Sequence, residues 1–231
     1  HKGLLIENSS STENLDDLSK RLPKNPRPLY ERLEQNRGYV GGMNYALETA
    51  RKLNPEYFLV MNNDTILDPD AVNEFVKVAE SYEDNAIVTG KVYDFQEKNV
   101  FQDIGSILIN EKLLKFKPIA AGEEDKGNHE EVCERDLIDD IFWLFPTKIY
   151  DDIGGYNPLF FFNGESADLA LRARKKGYKF VYAPKAKLWH KGSVSVGGRE
   201  NNPYLSFWQM KSTLTFRYLH LKRGLFVRFY F

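Results

Sequence analysis

Along this chain, short apolar runs alternate with segments in which apolar residues recur every three or four positions. Tyr57-Phe58-Leu59-Val60-Met61 is apolar throughout and then breaks into Asn62-Asn63-Asp64-Thr65, which predicts a buried strand presenting oxygen-bearing side chains at its end. Asp68-Pro69-Asp70 opens a helix in which Val72, Phe75, Val76 and Ala79 share a face, and Ala86-Ile87-Val88-Thr89-Gly90 reads as the next buried strand. Alternating strand and helix predict an α/β fold with a mostly parallel sheet and helices on both faces.

Upstream, Gly3 to Glu7 reads as a strand ending in the polar turn Asn8 to Thr12. A helix is predicted from about Asn14 to Leu22, a breaker from Pro23 to Pro28, and a short strand near Leu29 to Leu33. The glycine-rich segment Gln35 to Asn44 leads into a helix over Tyr45 to Leu53, its small residues letting backbone approach a ligand or a neighbouring strand. Beyond residue 104, Ser106 to Ile109 and Leu113 to Phe116 predict a hairpin, and the charged run Gly122 to Asp136 a solvated loop. Helices follow over Pro146 to Ile153 and Ser166 to Lys176, the second with Lys175 and Lys176 at its negative end and Gly177 just past it. A strand over Tyr178 to Tyr182, then Lys187 to His190, precedes an aromatic segment from Tyr204 onward.

With 231 residues the chain suits one sizeable α/β domain, or a domain with an appendage. Its 32 basic and 33 acidic residues leave a net charge of −1, no field for steering nucleic acid, so phosphate recognition has to be local. Cys133 is the single cysteine, which excludes an intrachain disulfide and a cysteine metal cage and suits a reducing compartment. No apolar stretch approaches the roughly 20 residues of a membrane span, and no signal peptide opens the sequence. The expectation is a cytoplasmic protein, with peripheral contact at the inner face of the membrane.

From residue types alone, Asn62 to Thr65 reads equally as an Asx-rich turn or as a metal-phosphate site at a strand end. Four clusters in order widen that choice: Glu7-Asn8; Asn36-Arg37-Gly38 with Gly41-Gly42-Met43-Asn44; Asn62-Asn63-Asp64; and Phe161 to Arg172 with Trp189-His190. Together they resemble the inverting, nucleotide-sugar-dependent glycosyltransferases of the large family 2 type with the GT-A fold, bacterial rhamnosyltransferase-like members above all. The resemblance implies a single GT-A domain over residues 1–203, with a nucleotide-binding half (1–104) and an acceptor half (105–203), followed by an amphipathic helical segment (204–231). The family's opening strand is absent here, and the expectation is that it lies outside this sequence.

The resemblance also implies roles. Glu7 matches the family acid that receives the base's imide N–H, and Asn8, Asn36, Arg37, Gly38, Gly42, Asn44, Asn62 and Asn63 complete the nucleotide contacts. Asp64 matches the metal-binding acid, with His190 reaching the same Mn²⁺ or Mg²⁺ from the far side; one protein carboxylate plus substrate phosphates suffices for such ions. Where the family carries Glu-Asp-x-Asp-Leu, this chain has Glu165-Ser166-Ala167-Asp168-Leu169, so the acid most often assigned as base is a serine. Glu165 and Asp168 remain as catalytic candidates, with Glu165 the base and Asp168 also within i,i+4 reach of Arg172. Trp143 is placed on the acceptor side, where its ring could stack on a sugar.

The implied function is metal-dependent transfer of a sugar from a UDP, dTDP or GDP donor to a glycan or lipid-linked acceptor in polysaccharide or glycoconjugate assembly. A weakened, binding-only GT-A-like module and a nucleotidyltransferase are the alternatives, the first motivated by Ser166.

Overall fold

The structure, a computed structural model, describes residues 4–7, 29–192 and 202–222. The helix expected over Asn14 to Leu22 and the residue Asn8 lie outside them. Strands β1 (Leu4–Glu7) and β2 (Leu29–Arg32) pair in parallel as a small separate sheet. The main sheet has seven strands, with β3 (Tyr57–Met61), β10 (Phe142–Pro146), β5 (Ala86–Asp94), β11 (Lys179–His190) and β4 (Thr65–Leu67) in that spatial order. Two short strands extend it, β6 (Phe101–Asp103) on β5 and β9 (Cys133–Arg135) on β11. The predicted hairpin forms as β7 (Ser106–Asn110) and β8 (Lys115–Pro118).

The sheet is mixed rather than mostly parallel. Within it β11 runs parallel to β5, whereas β10 lies antiparallel to both β3 and β5, and β4 antiparallel to β11. The late strand β10 inserts between two early ones, so the alternation of strand and helix in the first third could not reveal it. Its sequence, Phe-Trp-Leu-Phe-Pro, is buried at every position because both faces are covered. Phe142 and Leu144 point to the side of helix α2 (Ala71–Ser81), with Phe75, Val88 and Val181. Trp143 and Phe145 point to the other side, with residues of α1 (Gly38–Arg51), α3 (Thr147–Ile153) and α4 (Glu165–Lys175).

Two boundaries differ from the sequence reading. Helix α1 begins at Gly38, so the glycine-rich segment forms its first turns rather than a loop before it. Gly38 has φ +71°, and a Cβ there would sit 2.4 Å from the Phe161 ring, so the helix start can lie against the Phe161 segment only as glycine. The two strand segments near the end of the domain form one strand, β11, with a register shift between Tyr182 and Lys187.

The acidic run is also anchored. Lys91, 1% exposed on β5, bonds Asp125 at 2.7 Å and pairs with Glu130, while the Tyr93 hydroxyl donates to the same Asp125 oxygen at 2.5 Å. A buried ammonium needs such partners, and the loop supplies them.

Finally, α5 (Pro203–His220) is capped by Asn202, whose side chain accepts from Leu205 N–H, and docks on the α4 side. Ser212 donates to the Phe162 carbonyl at 2.8 Å, and Trp208 stacks on Phe161 at 4.2 Å. Among the described residues no helix is long and apolar enough to cross a membrane.

Candidate active site

Strand β3 ends at Met61, and the chain turns through Asn62-Asn63-Asp64 into β4. The turn is held on one side by Asn62 N–H donating to the Ile141 carbonyl at 3.1 Å, and internally by Thr65 Oγ1 donating to the Asn62 carbonyl at 2.7 Å. On the other side β4 pairs with β11 so that His190 lies opposite Thr65. That register brings His190 Nε2 to 3.1 Å from Asp64 Oδ1 and 3.2 Å from Asn62 Nδ2.

The histidine's other nitrogen is held as well. Gln102 Oε1 is 3.0 Å from His190 Nδ1, which holds the ring with Nε2 facing Asp64 and Asn62. At this separation a proton on Nε2 donating to the carboxylate, or a cation bound by both, joins the pair. Two adjacent ligands about 2.1 Å from an octahedral Mg²⁺-type ion are themselves about 3.0 Å apart, so the pair fits one edge of such an ion. Among the described residues no group of three or more His, Cys, Asp or Glu forms a cage, so remaining ligands would come from water and a phosphate-bearing substrate.

A second cluster lies alongside. Through the β10–β3 register, which sets Phe142 opposite Met61, the preceding Asp139 and Asp140 sit beside the Asn62 turn. Asp140 and Glu165 are both buried, and Asp140 Oδ2 and Glu165 Oε2 make no hydrogen bond among the described residues. Burial, and then Asp140, push the Glu165 carboxyl up to about 9; burial, and then Asp139, raise Asp140, against the pull of the Tyr156 and Tyr39 hydroxyls. Asp103 is raised the same way, by burial and by Asp139, although Gly105 N–H and Asp139 N–H donate to it. Ser166 Oγ donates to Asp139 Oδ1 at 3.0 Å. Strand β6 links the clusters, since Gln102 holds His190 and Asp103 holds Asp139.

The structure sorts the expected site residues. Asp64, His190, Asn62 and Glu165 fall within this region, and Asn63 is exposed in the turn. Glu7 ends β1. Asn36 Oδ1 accepts from Gly38 N–H at 2.8 Å, shaping the α1 start beside Arg37, whose guanidinium lies 5.5 Å from the Tyr45 ring centre. Gly42 is buried within α1.

Three residues serve differently from expectation. Asn44 uses both ends of its amide on the Tyr156 backbone, donating to the carbonyl and accepting from the N–H at 2.8 Å each, and so clamps α1 to the Gly155 turn instead of meeting a nucleotide. Trp143 is 0% exposed, edge-on to Phe180 and stacked on Tyr156, so no ring face is open to a sugar. Asp168 is 1% exposed, with one oxygen on Arg172 Nε at 2.7 Å and the other on His220 Nε2 at 2.8 Å. Burial would raise its carboxyl, but His220 and Arg172 outweigh it and hold the group below its ordinary value. It ties α5 to α4 and is not placed to take a proton.

Asp139, Asp140, Asp103, Gln102, Tyr39 and Tyr156 were not anticipated as site residues. The adjacent acids Asp139-Asp140 just before an apolar strand were the available signal: charge at a strand end has to be exposed or functional.

The sequence pattern described as Glycosyl transferase family 2 matches residues 3–145. Galactofuranosyltransferase GlfT2 of Mycobacterium tuberculosis (strain ATCC 25618 / H37Rv) is 22% identical over 172 residues, 68% of this chain and 27% of the relative. Poly-beta-1,6-N-acetyl-D-glucosamine synthase of Staphylococcus aureus (strain COL) is 22% identical over 199 residues, 85% of this chain and 44% of the relative. The chain thus spans less than half the length of these relatives. A crystal structure of GalNAc-T7 with UDP, GalNAc and Mn²⁺ superposes with a TM-score of 0.65 at 12% identity, over 82% of this chain and 37% of that one. The architecture is a GT-A-type α/β fold with a mixed central sheet. The chain belongs to glycosyl transferase family 2.

Proposed function

We propose that this chain is an inverting, metal-dependent glycosyltransferase, moving a hexosyl unit, rhamnosyl among the candidates, from a nucleoside-diphosphate donor to a hydroxyl of a glycan or lipid-linked acceptor. The observation that carries this reading is the Asp64–His190 pair, two metal-type ligands 3.1 Å apart at the rim of the sheet. The similarity to a galactofuranosyltransferase and a poly-beta-1,6-N-acetyl-D-glucosamine synthase favours polysaccharide assembly, and the solved neighbour holds UDP and Mn²⁺.

In this reading the Asn36–Gly38 turn and the end of β1 receive the nucleotide, while Asn62 and Asn63 shape the turn that presents Asp64. Asp64 and His190 would hold Mn²⁺ or Mg²⁺, which when bound offsets the charge of the leaving diphosphate. The acid cluster around Asp140 lies on the acceptor side. The protonated Glu165 carboxyl can donate a hydrogen bond to a sugar hydroxyl, and a base in the cluster takes the acceptor's proton as it attacks opposite the leaving group, inverting the anomeric carbon. Helix α5 exposes Tyr204, Phe207, Met210 and Tyr218 at 55 to 69% beside Lys211 and Arg217, a surface suited to a membrane carrying a lipid-linked acceptor.

Ser166 favours one other reading, a module that binds donor without turnover. Calorimetry with UDP, dTDP and GDP, each with and without Mn²⁺, tests the main proposal. Failure of all three to show metal-dependent binding would sink it.

A further inference from the structure

We propose that Asp139 is the catalytic base of this chain, supplying from the β9–β10 connection the carboxylate that position 166 does not carry. The inference rests on the glycosyl-transfer reading above.

At the start of α4 the three acidic or substituted positions are each accounted for. Asp168 spends both oxygens on Arg172 and His220. Ser166, 5% exposed, cannot accept a proton at neutral pH and instead donates to Asp139 Oδ1 at 3.0 Å. Glu165 is 5% exposed with Oε2 unpartnered among the described residues, and burial keeps it protonated at neutral pH. It suits a hydrogen-bond donor better than a base.

Asp139 differs from all three: it is exposed, whereas neighbouring Asp140 is buried. Its carboxylate stands within one hydrogen bond of the serine side chain at the position where the resemblance expects the acid. Its backbone is fixed by N–H donation to Asp103 Oδ2 at 3.3 Å, and the β10–β3 register keeps the segment beside the Asp64 turn. Ser166 is then a positioning residue, orienting the carboxylate from across the site.

The step balances without an oxidant or reductant. The acceptor hydroxyl gives its proton to an Asp139 oxygen while its oxygen forms a bond to the anomeric carbon. The bond from that carbon to the diphosphate oxygen breaks, its electron pair leaving with the diphosphate.

The test compares the wild-type chain, Asp139→Asn, Asp139→Ser and the exchanged double variant Asp139→Ser/Ser166→Asp. Each is assayed for Mn²⁺-dependent hydrolysis of UDP-N-acetylglucosamine, UDP-galactose, dTDP-rhamnose and GDP-mannose, and for binding of the matching nucleoside diphosphate. The expected result for Asp139→Asn is a kcat about 10²–10⁴-fold lower, with the acidic limb of the pH profile lost and nucleotide affinity unchanged within about 2-fold. The exchanged double variant regains at least about 10-fold over Asp139→Ser, since the carboxylate returns to the opposite wall. Wild-type kcat in Asp139→Asn overturns the assignment and leaves the glycosyltransferase reading standing. Nucleotide binding with no turnover of any donor by the wild type also overturns it, in favour of the binding-only reading. Absence of nucleotide binding removes both.

Discussion

His190 Nε2 lies 3.1 Å from Asp64 Oδ1 because β4, three residues long, pairs with the end of β11 and sets His190 opposite Thr65. The pair is made by a strand register. The ring is oriented from behind by Gln102, whose Oε1 lies 3.0 Å from Nδ1 and keeps Nε2 facing Asp64.

If the proposed metal site is right, removing either side chain should weaken metal-dependent nucleotide binding while the chain stays folded. Asp64→Ala and His190→Ala are each expected to do so, while Gln102→Leu, a residue placed behind the imidazole, is expected to cost about 10- to 100-fold in Mn²⁺ affinity by releasing the ring. Binding should also fall at acidic pH, where protons compete for Nε2. Calorimetric titration of Mn²⁺ with UDP checks this; unchanged affinity in Gln102→Leu contradicts the orienting role.

Glu165 predicts a pH-dependent stability with a definite sign. Its folded-state value of about 9 lies above its ordinary 4.5, so between these limits the folded chain holds a proton that the unfolded chain has released. Stability contributed by this group is present in acid and declines as pH rises through the window. Glu165→Gln, which keeps the shape and removes the titration, should match the wild type near pH 4.5 and exceed it by several degrees in Tm near pH 8.5. Thermal melts across that range test it, and a difference that does not change with pH counts against it.

Lys91 and Asp125 predict the opposite pH dependence. Burial would raise Asp125, but Lys91, Tyr93 and the Gly127 N–H hold it at about 2, below its ordinary 3.8. Stability from this contact is therefore present above about pH 4 and lost as pH falls toward about 2. Lys91→Met, which leaves the Asp125 charge buried without its cation, is expected to cost about 3–5 kcal/mol by chemical denaturation. A loss under about 1 kcal/mol would show that the loop moves away and solvates Asp125 instead.

Trp143 predicts a separation of stability from chemistry. Fully buried between Phe180 and Tyr156, it should cost about 3–5 kcal/mol when changed to Ala. Trp143→Phe should retain most of the stability, and any donor hydrolysis should keep its KM. A large rise in KM with little loss of stability would return this residue to the acceptor site.

Much of the fold was legible because local pattern and final environment agreed. The apolar run from Tyr57 to Met61 and the helical spacing of Phe75 and Ala79 became β3 and α2, and the 106–118 segment became a hairpin. The i,i+4 pairing of Asp168 with Arg172 was also readable, since helix geometry brings such residues together. The place of β10 was not, because pairing between distant strands depends on which edges remain open after the rest of the sheet forms. Trp143 was misread for a related reason: an aromatic residue looks the same in sequence whether its ring faces a sugar or Phe180.

By itself the sequence determined the strand end at Asn62-Asn63-Asp64, the family resemblance and the serine at 166, all properties of contiguous residues. Tertiary structure alone decided that Asp139 meets Ser166, that His220 closes the second oxygen of Asp168, and that Glu165 is buried beside Asp140. A carboxylate's charge state and reach depend on the dielectric around it and on partners delivered by strand register and helix docking, and neither is encoded in its immediate neighbours.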